Sequence, residues 1–356
     1  EDRRLFRQLI SQCGQSISNS IGPLYIKILK DNETRKSLGQ VGEVAIHYLS
    51  KALTDHDPDV RRASAEILRE LGENAEPAIP DLVFTAIKDT DSKVRSAAVH
   101  ALSNTGKKSL ARATTTLRTY LNDESSSVRS TAVQMLGIAG EKSDVTDEVV
   151  HAVISTLRDP HIDVRHNAAL ALGKFKNKPA HVLPALRLIL KDESSIIRTG
   201  AKISIAAFGK KAEILVPDLI SNLQNERNET DTPIQKSILV SSRIPTIEAL
   251  GAIGEKANAA VPFLIDYAQQ LQKHEKPAHT RTSLIATATS LGKIGGKAAV
   301  QGLVLLLKDS ENLDVKIAAM DALGKMEEQA REAIPELTRC SVNKNLGQLV
   351  NAQIGR

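Results

Sequence analysis

Residues 60–72 read VRRASAEILRELG, and the same thirteen-residue frame returns along the 356-residue chain. The next four copies begin at Val94, Val128, Val164 and Ile197, at intervals of 34, 34, 36 and 33 residues. Weaker copies begin at Ser242, Ser283 and Val315. A repeat of this length is typical of proteins in which one supersecondary unit stacks on the next.

The frame has the period of an α-helix that packs on one side. Its first, fifth, eighth and ninth positions are apolar or small, which places them on one helical face. The fifth position is small in every copy, so a neighbouring helix can approach closely. The thirteenth position is often glycine, as at Gly72 and Gly106, which suits a helix C-terminal cap.

A second helical segment precedes the frames, as in IPDLVFTAIKD from Ile79 and VLPALRLILKD from Val182. It ends at an acidic turn that leads into the frame. The unit is therefore helix A, acidic turn, helix B and glycine turn. One such pair cannot bury its apolar faces alone. We therefore predict an all-α fold, an α-α superhelix (a solenoid) of about eight helical hairpins with end caps.

The turn acid, the Val-Arg pair, the alanine and the Leu-Gly pair resemble the HEAT-repeat family, in its short bacterial, PBS-lyase-like form. The resemblance covers roughly residues 40 to 335. It implies the fold but no single function, because such proteins serve as scaffolds, adaptors, transport receptors and occasional enzymes. The residues that carry it include Asp57, Val60, Arg61, Leu71 and Gly72 in the first copy, and Asp123, Val128, Arg129, Ala132, Leu136 and Gly137 in the third.

The ends of the chain and two interruptions depart from the repeat. We expect capping helices and a truncated repeat at 1–42, HEAT-like repeats over 43–341 and a polar tail at 342–356. Insertions near 225–239 and 271–281 lengthen two repeats at the turn between helices A and B. Because the chain begins at Glu1 without Met, we expect a missing upstream segment. The compartment stays open between a cytoplasmic protein and, if that segment is a cleaved signal peptide, an extracytoplasmic one.

The composition excludes several classes of site. The chain has no Trp, five Phe, four Tyr and two Cys, with 47 basic and 42 acidic residues. It lacks an apolar run long enough for a membrane span, a disulfide framework and a cysteine zinc site. No HExxH, P-loop, GxSxG, EF-hand or Rossmann glycine pattern occurs. We therefore expect no catalytic residue, no metal and no cofactor.

A basic residue recurs at the second position of the frame. Such a row of cations can bind phosphates. We favour a structural ladder, in which each arginine donates charge-assisted hydrogen bonds to the acidic turn of a neighbouring repeat; the resemblance to HEAT repeats implies the same. The predicted ladder residues are Arg61, Arg95, Arg129, Arg165, Arg198 and Arg243.

The turns that follow some of the frames carry more lysine than helix capping requires. We predict that these basic residues face an acidic surface of a protein partner. Nucleic acid is disfavoured, because no aromatic residues interleave the lysines and the net charge is only +5. The predicted partner-binding residues are Lys107, Lys108, Arg112, Lys174, Lys176, Lys178, Lys210 and Lys211.

These observations favour a non-enzymatic scaffold or adaptor that binds proteins, with self-association through its ends as a further option. The resemblance extends this to an accessory subunit that organises a larger enzyme assembly. The alternative is a HEAT-like enzyme subunit, of the chromophore-lyase or the DNA-glycosylase type; the lack of Trp counts against the glycosylase. A transport receptor of the karyopherin kind carries rows of Trp and Asn on helix B, and the absence of Trp counts against it.

Overall fold

The computed structural model describes residues 42–225, 233–274 and 277–341. Within these ranges all regular structure is helical, with no strand. The chain divides into two compact units, one ending at Val153 and the other beginning at Ile154. The expected cap up to residue 41 and the expected tail at 342–356 lie outside the described residues.

The first unit contains α1 to α6 and ends within α7. Short 3-10 helices occupy the turns at Gly72–Ala78 and Tyr120–Asn122. The α-helices are α1 (Gly42–Ala52), α2 (Pro58–Leu71), α3 (Ile79–Lys88), α4 (Ser92–Asn104), α5 (Lys107–Thr119), α6 (Ser126–Lys142) and α7 (Asp147–Ser155).

The second unit continues the same alternation. Its 3-10 helices are Thr156–Arg158, Gly209–Leu215, Gly254–Ala260 and Glu327–Ala333. Its α-helices are α8 (Ile162–Leu172), α9 (Pro179–Ile189), α10 (Ser195–Phe208), α11 (Val216–Asn225), α12 (Pro233–Ile253), α13 (Val261–His274), α14 (Pro277–Ile294), α15 (Lys297–Asp309), α16 (Leu313–Lys325) and α17 (Ile334–Ser341).

The even-numbered helices carry the thirteen-residue frames, and the odd-numbered helices precede them. In the described ranges this gives eight helical hairpins, so the predicted all-α fold of helical-hairpin repeats is confirmed. The ninth frame position lies in the core of every repeat, as a helix with one apolar face requires. The buried residues at this position are Leu68, Leu102, Leu136, Leu172, Ile205, Leu250, Leu291 and Leu323.

Side-chain caps define where several of the frame helices begin. The Asp57 carboxylate accepts a hydrogen bond of 2.9 Å from the N–H of Asp59 at the start of α2. Asp91 accepts from the N–H of Lys93 at 2.7 Å, and also caps α4. Each cap satisfies a backbone donor that has no partner inside the helix.

Small residues bring neighbouring even-numbered helices of the second unit into close contact. The Ser204 hydroxyl of α10 donates a 2.7 Å hydrogen bond to the Ala169 carbonyl of α8. A Cβ atom added at Gly251 of α12 would lie 2.9 Å from the Cα of Ser290 in α14. The frames therefore pack backbone to backbone where the repeat places glycine, alanine or serine.

The two insertions add helix wherever they are described. Residues 233–239 belong to α12, which is 21 residues long, and residues 277–281 belong to α14. Residues 226–232 and 275–276 of the insertions lie outside the described residues. Part of each inserted segment therefore lengthens a frame helix.

Replacing Gly251 by alanine is expected to destabilise the protein, although alanine is the better helix former by about 0.8–1.0 kcal/mol. The added Cβ meets the Ser290 backbone, and such overpacking costs about 1–3 kcal/mol. Urea unfolding measures the difference. The control is Ala252→Gly, which tests helix propensity one residue away. A Gly251→Ala protein more stable than the parent would contradict the close α12–α14 contact.

Candidate interaction surface

An aspartate organises the turn before each frame helix from α2 to α10. One carboxylate oxygen accepts a hydrogen bond of 2.8–3.0 Å from the backbone N–H two residues further along the chain. This contact closes the turn locally without help from another repeat. The five aspartates are Asp55, Asp89, Asp123, Asp159 and Asp192.

The frame arginine lies six residues after this aspartate, and its guanidinium donates hydrogen bonds to backbone carbonyls of the same turn. In α4, Nη1 of Arg95 donates to the backbone carbonyls of Asp89 at 2.9 Å and Thr90 at 3.1 Å. Four further arginines contact the two corresponding carbonyls of their own turns at 2.8–3.2 Å. They are Arg61, Arg129, Arg165 and Arg198.

Arg61 and Arg165, both predicted ladder residues, also reach the aspartate of a neighbouring turn. Arg61 donates to both carboxylate oxygens of Asp89, at 2.7 and 2.9 Å. The Nε of Arg165 lies 3.9 Å from the carboxylate of Asp192. Arginine thus links its own turn to the next one at these positions.

One lysine also reaches the aspartate of a neighbouring turn. Lys88, which ends α3, lies 2.5 Å from the carboxylate of Asp123. Arg243 has a different environment, because its guanidinium lies over the ring of Tyr267 at 5.3 Å.

The Arg61–Asp89 pair is nearly buried, with side chains 12% and 5% exposed. Burial alone would raise the pKa of Asp89. The hydrogen bonds from Arg61 and from the N–H of Asp91 outweigh burial and hold that pKa below its ordinary value. The same pairing raises the pKa of Arg61, so both groups are charged throughout the physiological range.

The basic residues predicted to bind a partner fall into both units. In the first unit Lys107 and Lys108 begin α5, and their side chains lie outside the described part of the structure. Arg112 is exposed on α5 and forms an ion pair with Glu76. Arg112 therefore also links its helix to the preceding turn.

The remaining five lysines share one edge of the second unit. Lys174, Lys176 and Lys178 lie between α8 and α9, and Lys210 and Lys211 directly follow α10. The Lys211 ammonium donates a 3.2 Å hydrogen bond to the backbone carbonyl of Lys176, which brings the two turns together. We call these five residues the lysine edge. Lys178 is half-buried, and the other four are exposed.

Sequence reasoning missed three residues of α10. Ile196 and Ile203 are 53% and 48% exposed, although both are aliphatic. Lys202, between them in the chain, is only 1% exposed. The frame carries the signal for all three, because Lys202 replaces the apolar residue found at that position in the other copies, and the two isoleucines stand where most copies are polar.

The described residues hold no group of three or more His, Cys, Asp or Glu side chains suited to a metal ion. Among the described helices, none combines the length and apolar character that crossing a bilayer requires.

A family model of HEAT repeats matches residues 33–103, 79–153 and 150–232, which together make up more than half of the chain. The chain matches no curated protein sequence. The family model therefore agrees with the architecture that the repeated frame predicts.

Solved structures of the karyopherin Kap121p resemble the fold. A Kap121p mutant has a TM-score of 0.69 and 16% identity, and the match covers 94% of this chain and 39% of the Kap121p chain. Kap121p bound to Ste12p has a TM-score of 0.65 and 16% identity, and the match covers 93% of this chain and 38% of the Kap121p chain. Kap121p bound to the SUMO protease Ulp1p has a TM-score of 0.63 and 15% identity, and the match covers 94% of this chain and 38% of the Kap121p chain. The chain thus spans about two fifths of the Kap121p length.

Replacing Asp89 by asparagine is expected to lower the free energy of unfolding at pH 7 by about 1–3 kcal/mol, since it leaves Arg61 without its buried carboxylate. The folded-state pKa of Asp89 is lowered, so its stabilisation is complete above its unfolded pKa, about 3.9. The difference from the parent should shrink as the pH falls below about 4 and the parent carboxylate becomes protonated.

Urea unfolding at several pH values measures this difference. The matched control is Asp59→Asn, because Asp59 is exposed and contacts Arg62 on the surface. Its effect should stay below about 0.5 kcal/mol. Equal effects of the two substitutions at pH 7 would show that the Arg61–Asp89 pair does not join the turns.

Proposed function

Because this chain belongs to the HEAT-repeat family, we propose that it is a non-enzymatic scaffold or adaptor that binds other proteins. The lysine edge carries the proposal. Four of its five side chains are exposed, and the Lys211–Lys176 hydrogen bond holds two of its turns together. Repulsion among neighbouring like charges opposes folding, and an acidic partner that neutralises the lysines would remove this repulsion.

The number of cations in each turn supports this assignment, because other turns of the second unit carry single lysines. Lys256 lies 3.1 Å from Glu213, and Lys297 lies 3.0 Å from Glu332. The lysine edge concentrates five cations in two turns. Its excess of positive charge favours association with an acidic surface.

The solved relatives support a protein as the partner. Kap121p has been solved with Ste12p and with Ulp1p bound, so a stack of helical hairpins of this kind accommodates other proteins. In its finer form, the proposal is that this chain is an accessory subunit of a larger enzyme assembly.

Reversing Lys174, Lys176 and Lys178 to glutamate tests the proposal. Tagged chains, parent and variant, are incubated with extract of the source organism, and retained proteins are quantified by mass spectrometry over a series of salt concentrations. We expect the variant to lose acidic partners about tenfold at low salt and to show a flatter salt dependence. Circular dichroism and a Tm within about 2 °C of the parent should show intact folding.

The matched control reverses Lys273, Lys293 and Lys316, which changes the net charge equally at other repeats of the second unit. This control should retain the same proteins as the parent. Equal retention by both triple variants at low salt, or no protein specifically retained by the parent, would contradict the proposal.

A further inference from the structure

The solvent-facing side of α10 carries two aliphatic side chains. Ile196 and Ile203 are 53% and 48% exposed. Seven residues make about two helical turns, so both side chains lie on one face, about 10 Å apart along the axis. A water-facing helix side is ordinarily polar, which makes this pair unusual for the fold.

Comparison of the repeats shows that the pair is a local departure from the frame. The position of Ile203 is polar in six copies, and its other apolar occupant is Leu170 in the adjacent repeat. Ile196 also occupies a position that is polar in every other copy. The polar residues are Glu66, His100, Gln134, Glu248, Thr289 and Asp321 at the first position, and Asp59, Lys93, Ser127, Asp163, Ser241, Thr282 and Asp314 at the second.

The helices that carry these residues lie side by side. A Cβ atom at Gly200 of α10 would lie 3.2 Å from the Cβ of Ala169 in α8, so the two helices are in close contact there. Leu170 of α8 is half-buried and occupies the same frame position as Ile203 of α10. We call Leu170, Ile196 and Ile203 the apolar strip.

Charge differs between the two ends of the strip. Lys174 follows α8, and Lys210 and Lys211 follow α10, so the lysine edge lies at the C-terminal ends of both helices. The N-terminal ends carry charges of both signs, with exposed Asp163 and Glu193 beside exposed Lys191. A partner that crosses the strip therefore meets apolar surface first and positive charge beyond it.

We propose that the apolar strip and the lysine edge together bind a linear segment of another protein, in which two apolar side chains are followed by acidic residues. The apolar side chains cover Ile196 and Ile203, and the carboxylates pair with Lys174, Lys210 and Lys211. The inference rests on the proposed function and names the chemical class of its partner.

The charges of this chain argue against its own C-terminal tail as the occupant. Residues 342–356 contain Lys344 and Arg356 and no acidic residue, so they repel the lysine edge. A nucleic acid would use the lysines but would leave the aliphatic strip uncovered, because bases stack on aromatic side chains. A segment that is both apolar and acidic matches both features.

A displayed library of random peptides tests the proposal on the full chain. Peptides of about twelve residues are long enough to span the strip in an extended conformation. They are selected on the parent and counter-selected on the Ile196→Ser/Ile203→Ser double variant. Enriched peptides are then synthesised, and fluorescence anisotropy measures their affinity for each protein.

We expect enriched peptides to combine aliphatic or aromatic residues with a following acidic run. The serine double variant should bind them at least about tenfold more weakly, since it removes the apolar contact. The Lys210→Glu/Lys211→Glu variant should also bind these peptides about tenfold more weakly, and its loss of affinity should be larger at low salt. The matched control is Leu188→Ser, because Leu188 is 72% exposed but lies on α9; its affinity should equal that of the parent.

Several results would overturn the inference. They are the enrichment of basic peptides, the absence of any enriched peptide, and unchanged affinity in the serine double variant. A dimer seen by light scattering that the serine double variant abolishes would also overturn it, by making a second copy the occupant. If extract proteins depend on Lys174, Lys176 and Lys178 but not on Ile196 and Ile203, the proposed function stands and this inference fails.

Discussion

In the five repeats whose frame helices are α2 to α10, an aspartate and the arginine six residues after it close the turn between the two helices, and the geometry of these repeats depends on this contact. In the fifth copy of the frame, the Asp192 carboxylate binds the N–H of Ser194, while Nη1 of Arg198 binds the carbonyls of Asp192 and Glu193. Backbone groups that a tight turn would leave unpaired are thereby satisfied. The second carboxylate oxygen remains for the neighbouring repeat, as Asp89 shows with Arg61.

Asp89 shows this double use, because it binds the N–H of Asp91 in its own turn and Arg61 of the preceding repeat. The turn is fixed by residues of its own hairpin, and the close helix contacts at Ser204 and Gly251 fix the distance to the next hairpin. The added residues at 233–239 and 277–281 lengthen the frame helices α12 and α14. The lysine edge and the apolar strip consequently lie on well-supported elements, which limits the entropy cost of binding a partner.

The sequence predicts the hairpins well, because one helical period with a leucine at the ninth position leaves only one face to bury. It predicts the arginine contacts less completely. The spacing of the repeats predicts that each arginine binds the acidic turn of a neighbouring repeat. In the structure, Arg95 and Arg198 instead donate to backbone carbonyls of their own turns. The shared pattern of the copies does not predict the apolar strip, because Ile196 and Ile203 depart from that pattern. The division at Val153 has no signal in the repeat, since the period continues through it.

The most direct test of the central claim is amide hydrogen exchange at Ser194 in an Arg198→Lys variant. Lysine keeps the positive charge but lacks the guanidinium fork that reaches two carbonyls. If the arginine closes its own turn, the Ser194 amide should exchange at least about tenfold faster than in the parent, while the core of α10 stays protected. Unchanged exchange at Ser194 would show that charge alone suffices and would contradict the turn contact as the basis of the fold.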